Sequence, residues 1–137
     1  EMVYKATENY SKIKPSNIEF KLPQPNFTSH TLAHISEVYP DKEFSLIMGE
    51  DNLRSFHKWK NFETILEHHY LYVYPRISEG KVATQFDNHP KIQIIEAPIV
   101  QISSTMIRNG IKAGTNIQPL LSKEVWEYID EMNFYRK

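Results

Sequence analysis

The sequence predicts an α/β fold with a mostly parallel sheet. Three observations carry that prediction. Short apolar or β-branched and aromatic runs recur at 44–48, 70–74 and 92–95. Stretches with helical patterning precede, separate and follow them, at the spacing of αβ units, which implies right-handed crossovers. The first run ends at Gly49 and the second at Pro75, the punctuation expected where strands leave a sheet.

In chain order, residues 1–11 read as the end of a helix, with Val3, Ala6 and Tyr10 facing inward, broken by Pro15 and Ser16. Ile18-Glu19-Phe20-Lys21-Leu22 alternates apolar and polar, which predicts a short strand ended by Pro23 and Pro25. Thr28 or Ser29 is placed to cap a helix running to Tyr39, with Leu32, Ile35 and Tyr39 on its buried stripe. Pro40-Asp41 turns the chain into 44–48, a mostly apolar run expected as a buried parallel strand. Short helices are expected over 51–56 and 62–67, with a loop over 58–61 between them. Tyr70-Leu71-Tyr72-Val73-Tyr74 has strand composition. Residues 77–90 are polar and read as a long loop, 92–95 as the last strand, and 104–112 and 122–132 as closing helices.

Composition narrows the function classes. The 137 residues suit one domain with a real core, and 40% hydrophobic content argues against disorder. Sixteen basic and seventeen acidic side chains leave a formal charge of −1, so no global field attracts nucleic acid or an anionic membrane. Any anion site has to be built locally. The absence of cysteine excludes disulfides and thiolate metal sites and fits a cytoplasmic protein. No apolar run has the length of a membrane span.

The chemistry concentrates at Ile102-Ser103-Ser104-Thr105-Met106-Ile107-Arg108. An extended lead-in turns into a helix whose first N–H groups lack carbonyl partners. Ser103 or Ser104 is placed to cap it. Free N–H groups and hydroxyls at a helix start favour phosphate, and Arg108, one turn beyond Ser104, adds a forked cation. The plainer reading is a capped helix with a surface Arg. Gly49 and Asp51 also fall beyond the end of a strand, where parallel sheets place ligands. His30, His34 and Glu37 share one helical stripe, but no second cluster completes a metal shell, and a polar face explains their spacing. His68 and His69 are adjacent and point apart. Arg76, after the second clear strand, sits where it can reach phosphate or serve only as surface.

The 102–108 segment resembles the ISSTxIR signature of nucleotidyltransferase-fold adenylyltransferases. Gly49-Glu50-Asp51-Asn52-Leu53 with His57-Lys58-Trp59 is similar to the GxD…(P/H)KW arrangement of bacterial nicotinate-nucleotide adenylyltransferases. Asn26-Phe27-Thr28-Ser29-His30-Thr31-Leu32 is similar to that family's (Y/F)TxxT segment. All three occur in the family's order and span most of the chain. The resemblance implies a Rossmann-like nucleotidyltransferase fold. It also implies that the family's HxGH segment, absent from these residues, lies on a preceding strand–loop–helix. The expectation is therefore a C-terminal portion of a single adenylyltransferase domain, with N-terminal strands missing and no catalytic residue within 1–137.

The resemblance further implies roles. Ser103, Ser104, Thr105 and Arg108 would hold the phosphates of ATP. Gly49 and Asp51 would hold the adenylyl ribose. Thr28, Thr31 and Trp59 would receive nicotinate mononucleotide, with Trp59 stacking on the pyridine and nearby backbone N–H groups donating to its carboxylate. Plainer readings stand beside these: Asp51 as a helix cap, the threonines as caps, Trp59 as a cover for a helix end, His57 and Lys58 as solvated. The implied reaction is adenylyl transfer from ATP, with Mg²⁺, to nicotinate mononucleotide, giving deamido-NAD and pyrophosphate, with the 137 residues alone inactive. Two alternatives remain: a related transferase acting on phosphopantetheine or forming cytidylyl products, and a non-catalytic nucleotide-binding module. An open sheet edge would invite self-association.

Overall fold

A computed structural model describes residues 1–75 and 84–136. Its regular elements are α1 (Met2–Thr7), α2 (Thr28–Val38), β1 (Leu46–Gly49), α3 (Glu50–Ser55), α4 (Phe62–His68), β2 (Leu71–Tyr74), β3 (Ile92–Ile94), α5 (Ser104–Lys112) and α6 (Lys123–Glu131), with 3-10 turns at Ile18–Lys21, Phe56–Lys58 and Gln118–Leu120. They fall into two compact units, Asn17–Val100 and Glu1–Ser16 with Gln101–Lys137. No helix among the described residues is long and apolar enough to cross a membrane.

The first unit carries the sheet. Its strands lie in the order β1-β2-β3, all parallel, with Leu46 opposite Leu71 and Leu71 opposite Ile92. The α/β expectation and its three strands therefore hold. Side chains alternate across a strand, so Leu46, Met48, Leu71, Val73 and Ile92 share one face. On that face Leu53 of α3, Phe56, Ile65 and Leu66 of α4, Leu32 of α2, and Phe86 close a core around Leu71 and Val73, both 0% exposed. Ile47 points the other way and is 72% exposed. The expectation of a fully buried first strand is corrected accordingly: the core forms on one face, and the alternate residue stays in solvent.

Further expectations change. Residues 18–22 form no strand; Phe20 N–H donates to Asn17 O and Leu22 N–H to Glu19 O, so the backbone is satisfied by tight turns. Alternation alone does not make a strand without a ladder partner, and Phe20 is left exposed. Helix α2 begins at Thr28 with Phe27 as its N-cap and no side-chain cap, so neither Thr28 nor Ser29 caps it. Leu32 is buried on α2, whereas Tyr39 lies past its end and is exposed. Residues 84–90 are not simply a polar loop, because Phe86 plugs the core edge-on to Phe56 and Phe62.

The second unit is helical. Ile107 and Ile111 of α5, Ile117, and Ile129 of α6 form its core, with Met2, Val125, Trp126 and Phe134 packed around them. Helix α1 is shorter than expected and turns Met2 inward, not Val3, Ala6 or Tyr10. It ends at Thr7, whose hydroxyl donates to Val3 O at 2.7 Å and competes with continued helix. Gly110 stays inside α5 because a Cβ there would lie 2.5 Å from Ile117 Cγ2. Gly114, at φ +72°, closes α5 by letting its own N–H reach Ile111 O and Thr115 N–H reach Gly110 O.

Candidate functional site

The C-terminal end of β1 runs directly into α3. Gly49 is both the last strand residue and the N-cap of the helix, in extended backbone at φ −77° and ψ 156°. Asp51 is exposed in the first turn of α3, where the helix dipole favours a carboxylate. Glu50 pairs with Arg54 one turn on, at 3.9 Å. Leu53 and Phe56 anchor this segment in the core, which fixes Gly49 and Asp51 at the mouth of the sheet.

The start of α2 is tied down from two sides. Thr31 Oγ1 donates to Glu19 Oε1 at 2.8 Å, and Asn26 Nδ2 donates to Glu19 O at 3.2 Å. Glu19 thus fastens the 3-10 turn to the first helical turn. Thr31 has its hydroxyl proton committed within the protein, while Thr28 is half-buried in the first helical position. Asn26 Oδ1 and Ser29 Oγ are shielded from solvent with no partner among the described residues.

Trp59 follows the 3-10 turn Phe56–Lys58, and its N–H donates to Phe56 O. Its ring meets Phe56 edge-on, with centroids 5.4 Å apart, and packs against the core. Trp59 is therefore partly buried, on a shelf made by Phe56. The next residue, Lys60, reaches back with Nζ 4.5 Å from the centroid of Phe27, the residue immediately before Thr28. That cation–π contact brings the Thr28 and Trp59 segments together. His57 and Lys58 are exposed.

The hydroxyl-rich segment lies in the helical unit. Ser103 is the N-cap of α5, and its Oγ accepts from Met106 N–H at 3.2 Å, as expected. Ser104 is the first helical residue, and Thr105 Oγ1 accepts from Arg108 Nη2 at 3.5 Å. All four side chains are exposed, and α5 has no acidic residue in its first turn. The local geometry is that of a helix start with an attached guanidinium, suited to an anion.

Among the described residues no group of three or more His, Asp or Glu side chains is arranged to hold a metal. His34 Nδ1 instead faces Glu37 Oε2 at 4.0 Å. His69 Nδ1 lies 2.8 Å from Phe44 O and ties the end of α4 to the approach of β1. Arg76 lies outside the described residues. A cavity of about 550 Å³ runs between α2 and α4, lined by Ser29, Leu32, Ser36, Ile65 and His69. Glu19, Phe27, Lys60 and Phe86 gained no role from the sequence. Phe27 sits within the (Y/F)TxxT match and carried the one available signal.

Residues 1–110 match the cytidylyltransferase-like family. The chain is 65% identical over 137 residues to a Flavobacterium johnsoniae protein named probable nicotinate-nucleotide adenylyltransferase, covering 100% of this chain and 71% of that one. A Christiangramia forsetii protein of the same name is 65% identical over 136 residues, with 99% and 70% covered. Among solved structures, a putative nicotinate-nucleotide adenylyltransferase from Vibrio parahaemolyticus aligns with TM-score 0.59 and 23% identity over 82% of this chain and 54% of that one. The Plasmodium falciparum nicotinic acid mononucleotide adenylyltransferase complexed with APC aligns with TM-score 0.64 and 20% identity over 80% and 58%. At these identities the two structures bear on the fold, and this chain spans little more than half of each.

Proposed function

We infer the chemistry from one membership: the chain belongs to the nicotinate-nucleotide adenylyltransferase family, within the cytidylyltransferase-like group. The proposed reaction is adenylyl transfer from ATP to nicotinate mononucleotide. A phosphate oxygen of the mononucleotide bonds to the α-phosphorus of ATP, the bond from that phosphorus to the β-bridging oxygen breaks, and pyrophosphate leaves with the electron pair. The product is deamido-NAD. The nucleophile is already an anion, so alignment and charge neutralisation carry the catalysis, with no general base. Mg²⁺ enters on the phosphates of ATP, as part of that substrate.

The proposed division of labour follows the local geometries. Ser103, Ser104, Thr105 and Arg108 take the phosphates at the start of α5. Gly49 and Asp51 take the adenylyl ribose at the end of β1. Thr28 and Trp59 take the pyridine half. Thr31 supports them from its hydrogen bond to Glu19, which already uses its hydroxyl proton. The observation that carries the pyridine assignment is the Lys60–Phe27 contact, because it joins the start of α2 to the Trp59 segment. The 137 residues contain no HxGH. The polypeptide of these residues alone is therefore expected to bind without turnover, and deamido-NAD formation by the purified chain would overturn that part. Cytoplasmic placement and pairing of the β1 edge with a second chain belong to the same proposal. Sedimentation as a clean monomer would remove the pairing.

The test is tryptophan fluorescence. Nicotinate mononucleotide is expected to quench the chain's emission, and Trp59→Ala to abolish that response while leaving Trp126 emission in place. Quenching that survives in Trp59→Ala would overturn the assignment of Trp59.

A further inference from the structure

We propose that Lys60 is the specificity-determining residue that makes the pyridine site prefer a carboxylate-bearing ring over a carboxamide-bearing one. The inference rests on the mononucleotide reading of the Thr28–Trp59 region. Its own content is the assignment of selectivity to one side chain.

Lys60 directly follows Trp59, and its ammonium lies 4.5 Å from the Phe27 ring centroid, one residue before α2. The residue after Trp59 thus places a cation on the ring that precedes the start of α2. A ring face attracts an ammonium without neutralising it, and at an exposed position the attraction is weak. Lys60 is exposed, and among the described residues no carboxylate lies within ion-pair distance of it. The ammonium is thus biased toward the start of α2 with no carboxylate neutralising it. Lys58 and His57 are exposed too, but neither has a contact that holds it toward α2.

A flat pyridine stacked on Trp59 would present its ring substituent to this region. A carboxylate there gains a charge-assisted hydrogen bond from Lys60. A carboxamide gains at most a neutral-acceptor bond, and charge-assisted bonds are roughly twice as strong. The expected selectivity is about tenfold in affinity. Lys is suited to this task because its ammonium carries three N–H donors and contact with the Phe27 ring leaves its charge in place.

Calorimetric titration of the 137-residue chain with nicotinate mononucleotide and, separately, nicotinamide mononucleotide tests the inference. The expected result is about tenfold tighter binding of the nicotinate form. Lys60→Met, which removes the charge and keeps an unbranched side chain, should bring the two within about twofold by weakening only the nicotinate form. Lys60→Arg should keep the preference, and so should His30→Gln, although His30 also meets the Phe27 ring. A preference unchanged in Lys60→Met would overturn the inference while leaving the mononucleotide reading intact. Failure of the parent chain to bind either mononucleotide would overturn that reading itself, and this inference with it.

Discussion

Replacing Phe56 with alanine should be among the most damaging single changes in the sheet-bearing unit. Phe56 is 0% exposed and meets three other rings edge-on: Trp59 at 5.4 Å, Phe62 at 5.8 Å and Phe86 at 5.4 Å. Removing a buried Phe side chain costs about 3–5 kcal/mol, because transfer energy is lost and a cavity remains. With a urea slope of about 2 kcal/mol/M, the unfolding midpoint should fall by about 2 M. Phe56→Leu fills most of the space but loses three ring pairs, each worth about 0.5–1 kcal/mol, so its loss should be about 2 kcal/mol. Phe56 is also the shelf beneath Trp59. The near-UV circular dichroism of Trp59, read in a Trp126→Phe background, should collapse in Phe56→Ala before any urea is added. A midpoint shift under about 0.5 M would refute the reasoning, because the slope then allows only about 1 kcal/mol for the whole side chain.

Two other outcomes follow from the packing. Gly110→Ala should destabilise the helical unit by about 1–3 kcal/mol in thermal unfolding, because the new Cβ meets Ile117 Cγ2 at 2.5 Å. In an Ile117→Ala background, itself less stable because Ile117 is core, Gly110→Ala should cost less than in the parent, and a neutral Gly110→Ala in the parent would contradict the close approach. Thr31→Val should cost about 1 kcal/mol by leaving Glu19 Oε1 without its 2.8 Å donor. Thr31→Ser should cost less than half as much, and equal losses would mean that the methyl group matters more than the hydrogen bond.

The parallel sheet was legible because its strands carry their own signature. Leu46, Met48, Leu71 and Val73 form the inward set of two short runs, and Gly49 and Pro75 punctuate the ends. The Ser103 cap was legible for the same reason, since a cap is a contact three residues long. What the sequence hid was non-local. Ile18 to Leu22 alternates like a strand, but a strand needs a neighbour, and the backbone there satisfies itself in turns. Phe86 sits in a polar stretch, and only the tertiary fold brings it to Phe56. Thr31 offered its hydroxyl to a substrate on paper, yet Glu19, twelve residues away, already holds it. The candidate site was thus legible only as a set of residue types in order. The contacts that position them, Glu19 to Thr31 and Lys60 to Phe27, required the structure.

The central question is which phosphorylated acceptor the sheet-bearing unit recognises. Parallel calorimetric titrations of the chain with nicotinate mononucleotide and with 4′-phosphopantetheine read this directly. The account predicts a saturable heat with the mononucleotide, lost in Trp59→Ala, and none with phosphopantetheine at the same concentration. Binding of phosphopantetheine with no response to the mononucleotide would contradict it.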